Sequence, residues 1–253
     1  MIKKSINFFL RKTIIFQVVK YMLFPGLDLH TRCRYKNIPK HFLKGNITTL
    51  DAGCGNACLA YAAYKNGNKA VGVSFEDALI ERNRVFYNFL NIKSDRLSFK
   101  TMNLYDIEKF GDKFDQIICS ETLEHISDDK HIIRAFYNIL NTNGVLHLCC
   151  PYLLHPQNHL GRINMPEDGN HVRDGYTHES YKELLEPLGF KIIEYVGIGS
   201  PIVVKLDNFV RFITNTFGEL FSIPFLLLVL PFTFFDKVNP KVPFSLYVKC
   251  VKK

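Results

Sequence analysis

Between residues 47 and 150 short apolar runs alternate with longer stretches in which apolar positions recur at helical spacing. Residues 47–50 predict a first strand that ends at Asp51 and a glycine turn, and residues 58–66 a helix stopped by Asn66-Gly67-Asn68. Residues 70–73 read as a second strand, and residues 76–90 as a helix with Leu79, Ile80, Val85, Phe86, Phe89 and Leu90 as its apolar positions. A third strand is predicted over residues 97–102, a buried one over 114–119, a helix over 128–140, and a strand over 144–150 after the turn Asn141-Thr142-Asn143. This order, with its short connections, predicts an α/β fold: a doubly wound, mostly parallel sheet with helices on both faces. Beyond Pro151 a polar loop rich in His, Asn and Gly runs to about Tyr176. Thr177 then caps a helix over 178–188, Gly189 ends it, and strands are expected over 190–195 and 244–251.

Composition changes this picture at the two ends of the chain. The 253 residues carry a formal net charge of +8, but residues 1–46 hold ten basic residues and one acid, whereas residues 47–150 are net −2 and residues 151–253 net +1. Eight of the 22 Phe lie between Phe209 and Phe235. The chain therefore divides into a basic amphipathic arm (1–46), a core (47–151), and a part (152–253) with the polar loop, a Phe-rich helical insertion and the closing strands. Seven Cys, three of them in apolar strand runs (Cys119, Cys149, Cys150), and the interruption of the first apolar stretch by Arg11 and Lys12 point to a reduced, cytoplasmic protein without a signal peptide.

The segment Leu50-Asp51-Ala52-Gly53-Cys54-Gly55-Asn56-Ala57 lies where the first strand gives way to a helix, a place where backbone amides and a helix N-terminus can meet an anionic group. A dinucleotide fingerprint wants its third glycine where this chain has Cys58, which disfavours a nicotinamide enzyme. The same segment resembles the first motif of class I S-adenosylmethionine-dependent methyltransferases, with Ala57 at the usual third glycine. Residues 70–73, 114–125 and 140–148 resemble that family's second, fourth and fifth strand motifs in the same order. The resemblance implies a Rossmann-like methyltransferase fold of seven strands, the last one antiparallel, and S-adenosylmethionine as the cofactor.

It also implies site residues. Asp51, Gly53, Cys54 and Gly55 would form the turn around the cofactor, Asn103 and Leu104 would border the adenine, and Ser120 and Glu121 would line the methionine side. The family's ribose-binding acid is replaced by Ser74, followed by Phe75 and Glu76, and a hydroxyl cannot reproduce the two-oxygen grip of a carboxylate. Either Glu76 reaches back to the ribose or Ser74 makes a weaker contact. Methyl transfer from a sulfonium is an in-line displacement, and an oxygen acceptor must also lose a proton. Glu121, His125 and His155 are the leading candidates for that chemistry, with Glu124, His159, His171 and Tyr176 nearby in sequence or on the loop above. No metal ligand set is read from the spacing.

The expected activity is methyl transfer to a small-molecule acceptor, lipid-linked or a glycan intermediate; the alternative is a non-catalytic S-adenosylmethionine-binding or membrane-associated interaction protein. Nucleic acid is disfavoured as a partner, because Ser120-Glu121-Thr122-Leu123 stands where amino-methylating nucleic-acid enzymes carry Asn/Asp-Pro-Pro-aromatic and the core lacks a basic face. Residues 207–222 place Phe209, Phe212, Ile213, Phe217, Leu220 and Phe221 on one helical face. Residues 209–235 can then act as a lid over an apolar acceptor pocket, as a peripheral membrane contact, or as a span. The basic arm suits an anionic membrane surface or a cap packed on the core.

Overall fold

A computed structural model describes residues 13–253, apart from the side chains at 219, 220, 234 and 235. Lys3, Lys4, Ile6, Phe9, Leu10, Arg11 and Lys12 of the predicted arm lie outside the described residues. Seven strands form one sheet in the order β3-β2-β1-β4-β5-β7-β6: β1 (Thr48–Ala52), β2 (Lys69–Ser74), β3 (Leu97–Thr101), β4 (Phe114–Ser120), β5 (Leu140–Pro151), β6 (Phe190–Ile198) and β7 (Ser245–Lys252). The pairs among β1 to β5 are parallel, and β7 runs antiparallel to both neighbours. The expected architecture, including the reversed last strand, is the one observed.

Helices α1 (Ile14–Met22), α2 (Leu29–Asn37), α3 (Cys58–Lys65), α4 (Asp77–Phe89), α5 (Asp129–Ile139), α6 (His178–Leu185), α7 (Pro201–Phe217) and α8 (Glu219–Val229) surround this sheet. One apolar layer packs α5 and α6 on the sheet through Ile132, Phe136, Tyr181 and Leu185; the other packs α2, α3 and α4 through Leu29, Cys33, Leu59 and Phe86. Thr177 caps α6 as expected, in a reciprocal box with Ser180. Gln116, His147 and Tyr247 form a buried polar chain, with His147 Nε2 2.9 Å from Gln116 Oε1 and Nδ1 2.7 Å from the Tyr247 hydroxyl. Each member has a partner, so the chain fixes β4, β5 and β7 in register without an unpaired buried group.

Two elements differ from the sequence expectation. Strand β5 starts at Leu140, because Asn143 takes a left-handed φ of 62° and lets the segment 141–143 continue along β4 with a register shift. The C-terminal helix starts at Ser200-Pro201, with Pro at its first turn, and breaks at Gly218. Its inward face is Val203, Val204, Asp207, Val210 and Ile213, whereas Phe209, Phe212, Phe217 and Phe221 face outward. The helix is apolar on two sides, and the β-branched side packs inward. Among the described residues no helix is long and apolar enough to cross a membrane.

Candidate active site

The C-terminal ends of β1 and β4 open onto a cleft of about 280 Å³ lined by Thr31, Arg34, Asp51, Gly53, Cys54, Gly55, Asn56, Cys58, Leu59, Ser120 and Glu121. Six of these were predicted: Asp51, Gly53, Cys54, Gly55, Ser120 and Glu121. Gly53 has φ 77°, and a Cβ there would stand 2.3 Å from Thr122 Oγ1, so no side chain fits between this turn and the loop after β4. At Gly55 a Cβ would meet nothing within 4 Å, leaving the backbone open to the cleft. Ala57 keeps a left-handed φ of 60° in place of the third glycine and is held by the buried Tyr87, whose hydroxyl donates to the Ala57 carbonyl at 3.0 Å. The turn thus survives the substitution.

Asp51 is buried, and its Oδ2 accepts from the Ala60 N–H at 2.9 Å, tying the end of β1 to the first turn of α3. Burial pushes its carboxyl up to about 7, against the lowering effect of that hydrogen bond. Glu121 sits in a left-handed conformation, φ 52°, fixed by its N–H donating to the Cys149 carbonyl at 2.7 Å. Such a backbone in a non-glycine residue is uncommon and aims this side chain across the cleft. There Arg34 Nη1 lies 3.3 Å from Glu121 Oε2, and the Ser245 hydroxyl donates to Oε1 at 3.3 Å. Burial raises the Glu121 carboxyl; Arg34 opposes it.

Arg34 and Thr31 come from α2, within the basic amphipathic arm expected over residues 1–46. They are the functional residues the sequence reading missed. Helix α2 buries Leu29, His30, Cys33 and Asn37, a mostly polar set without a hydrophobic period, so no amphipathic signal marks it. The available signal was local: Asp28 before Leu29 reads as an N-cap, and its Oδ2 accepts from the Thr31 N–H at 2.7 Å.

The other predicted cofactor residues lie beside the cleft. Ser74 ends β2, its hydroxyl accepting the Glu76 N–H at 3.3 Å, while Phe75 and Glu76 are exposed. Asn103 is exposed and caps the next turn by accepting from the Tyr105 N–H at 3.0 Å; Leu104 is buried. Ser74 pairs with Thr101, so these residues cluster at the neighbouring ends of β2 and β3.

His125 closes the short turn Leu123–His125 after β4, and its ring stands perpendicular to His171 at 4.6 Å between centroids. Glu124 is fully buried, both carboxylate oxygens lack a hydrogen-bond partner among the described residues, and burial, helped by the Glu121 charge, pushes its carboxyl up to about 8. The ligand atoms of Glu124, His125 and His171 lie within 4.8 Å of one another, a donor set chemically able to take a divalent cation. Burial lowers His171 to about 4, so its ring is neutral at pH 7. His155 is not brought to the cleft: it is buried against Phe244 at 5.2 Å, and its Nδ1 accepts from the Gln157 N–H. Tyr176 is committed elsewhere, donating to Asp129 at 2.7 Å and stacked on Tyr181.

The open glycine backbone, the guanidinium of Arg34 and the carboxylates of Asp51 and Glu121 fit a ligand carrying both an α-carboxylate and an α-ammonium, as S-adenosylmethionine does. All seven cysteines are buried free thiols, and burial pushes Cys58, in the cleft wall, up to about 12. None is poised as a nucleophile.

Comparison with known proteins agrees with this geometry. The family model described as a methyltransferase domain matches residues 28–195. A ubiquinone biosynthesis O-methyltransferase of Coxiella burnetii is 25% identical over 184 residues, covering 68% of this chain and 75% of the relative; in its counterparts from other strains the matched segment covers 50% of the relative. Among solved structures, a putative sarcosine dimethylglycine methyltransferase from Galdieria sulphuraria superposes with a TM-score of 0.59 at 15% identity, covering 88% of this chain and 84% of that one. Magnesium protoporphyrin IX methyltransferase from Synechocystis, solved with bound SAH, superposes with a TM-score of 0.58 at 13% identity, covering 89% and 84%. The match over residues 28–195 establishes that the chain belongs to the methyltransferase-domain family and is an S-adenosylmethionine-dependent methyltransferase.

Proposed function

We propose that the protein transfers a methyl group by in-line displacement to an oxygen of a small, lipid-linked acceptor. The observation that carries this reading is the pairing of the cleft, with its Arg34–Glu121 bridge, to the His125–His171 pair next to Glu124 on the loop after β4. Bound in the cleft, S-adenosylmethionine supplies an activated methyl group. Arg34, with its planar donors, would hold the α-carboxylate, and Glu121 and Asp51, lining the same cleft, would hold the α-ammonium. Glu76, exposed beside the Ser74 hydroxyl, is free to reach the ribose hydroxyls, and Leu104 offers an apolar edge to the adenine. His125 takes the acceptor's proton, and the neutral His171 ring holds it in orientation. The name of the Coxiella relative supports an oxygen acceptor on an amphipathic molecule; a glycan acceptor lacks such support.

The test is release of S-adenosylhomocysteine over a panel of phenolic, lipid-linked and glycan acceptors. His125→Ala is expected to lower turnover by roughly 10²-fold or more while leaving cofactor affinity intact. Full activity of that variant would remove His125 as the base. Cofactor binding without turnover on any acceptor would favour a non-catalytic binding protein.

A further inference from the structure

The chain exposes more apolar surface at one corner than its core requires. On α7, α8 and the turn after them, Ile202, Phe212, Phe217, Phe221, Leu228 and Phe232 all face outward, Phe212 at 63% and Leu228 at 66% of their full exposure. On α1, Ile14, Ile15 and Met22 are exposed at 73%, 78% and 76%. Isolated exposed apolar residues are ordinary, but two such runs are not.

The segment that follows α1 is tied to α7. Helix α1 leads through Pro25 and Gly26 to Asp28, whose Oδ1 pairs with Arg211 of α7 at 2.6 Å, and the Leu29 N–H donates to Asp207 of α7 at 2.9 Å. The Pro25 carbonyl in turn accepts from Asn56 Nδ2 of the glycine turn at 2.5 Å, so this corner adjoins the cofactor cleft. Among the described side chains the acids are engaged: Asp28 by Arg34 and Arg211, Asp207 by Arg211, and Asp236 Oδ1 by the Ser200 N–H at 3.0 Å. Lys205, Lys237 and Lys241 are exposed and make no ion pair among the described residues. Among the described side chains, the unpaired charges beside the apolar surface are therefore positive.

We infer that this corner seats the protein on the surface of a bilayer carrying anionic headgroups, with the Phe and Leu side chains in the interface and the lysines over the phosphates. A two-fold contact with a second copy fits less well, since it would gather like-charged lysines from both copies around one patch. Helix α8 is 11 residues long, about 17 Å at 1.5 Å per residue, and is interrupted by Pro224, which suits lying on a membrane and falls short of the ~30 Å needed to cross one.

The experiment is co-sedimentation of the full chain with phosphatidylcholine vesicles, with and without one third phosphatidylglycerol, at low and high salt. The wild type is expected to sediment with the anionic vesicles and to be released by salt. Phe212→Glu combined with Leu228→Glu is expected to weaken partitioning at least about tenfold. Lys205→Gln, Lys237→Gln and Lys241→Gln together are expected to weaken it by up to about fivefold per lysine, on anionic vesicles only. Calorimetric affinity for S-adenosylhomocysteine, unchanged in both variants, shows that each is folded. Wild-type protein left in the supernatant of both vesicle types, or variants that bind as the wild type does, would overturn the inference. So would light scattering that shows a dimer abolished by Phe212→Glu without any vesicle binding.

Discussion

Replacing Arg34 by Gln removes the only cation lining the cleft among the described residues. Its guanidinium lies 3.3 Å from Glu121 and 3.8 Å from Asp28, and Nη2 donates to Thr31 Oγ1 at 3.1 Å. Burial alone would lower the pKa of Arg34, but the Glu121 charge reverses that and keeps the group ionised. A hydrogen bond to a charged partner contributes about 1.5–3 kcal/mol, so losing the contact to the cofactor's carboxylate should weaken binding roughly 10- to 150-fold. The cost to the free protein is smaller. Breaking a fully buried pair costs about 3–5 kcal/mol, but this pair borders an open cleft and Glu121 retains the Ser245 hydroxyl, so about 1–2 kcal/mol is expected. Arg34→Lys keeps the charge without the planar fork and should fall between. Calorimetric titration with S-adenosylhomocysteine, alongside thermal melts, separates the two effects. If Arg34→Gln binds within about twofold of the wild type, the assignment of α2 to the cofactor site is wrong.

Two further predictions concern stability. Gly53→Ala combines a left-handed backbone with a Cβ 2.3 Å from Thr122 Oγ1. It should cost roughly 2–5 kcal/mol, lowering Tm by about 5–15 °C; an unchanged melt would mean that the turn and the Thr122 loop can separate freely. His30 is buried, stacked on Phe244 at 3.7 Å, and lowered by burial from 6.5 to about 3. Its Nε2 stands 3.5 Å from Asp207 Oδ2, and because the ring is neutral at pH 7 this contact is not an ion pair. A histidine with a depressed folded-state pKa contributes stability that is fully present above pH 6.5 and is lost as pH falls toward 3. Chemical denaturation between pH 7 and 4.5 should show a loss of up to roughly 2–3 kcal/mol, reduced in His30→Gln; an equal slope in the variant would assign the loss to other groups.

The sheet was legible because its strands are short apolar runs and its helices amphipathic, signals that depend only on burial. The glycine turn was legible for a different reason: Gly53 and Gly55 occupy left-handed positions at a strand end, and few residues serve there. Arg34 was hidden because α2 has no hydrophobic period: a cap of the arm on the core was one of its two readings, but nothing local singled out the residue that reaches the cleft. The pairing of His125 with His171 was equally out of reach of local pattern. It depends on the Val172 N–H donating to the Glu124 carbonyl at 2.8 Å, a contact between a loop and a strand end 48 positions apart in the chain. His155 shows the converse. A histidine on a substrate-side loop looked chemical, yet Phe244 claims its ring.

The central claim is that the cleft between the glycine turn and Glu121 binds S-adenosylmethionine. Titration calorimetry with S-adenosylhomocysteine, and with NAD under the same conditions, tests it most directly. Saturable one-site binding of S-adenosylhomocysteine is expected, lost in Gly53→Ala and weakened in Arg34→Gln, with no heat from NAD. Binding of NAD, or a silent titration with S-adenosylhomocysteine on folded protein, would contradict it.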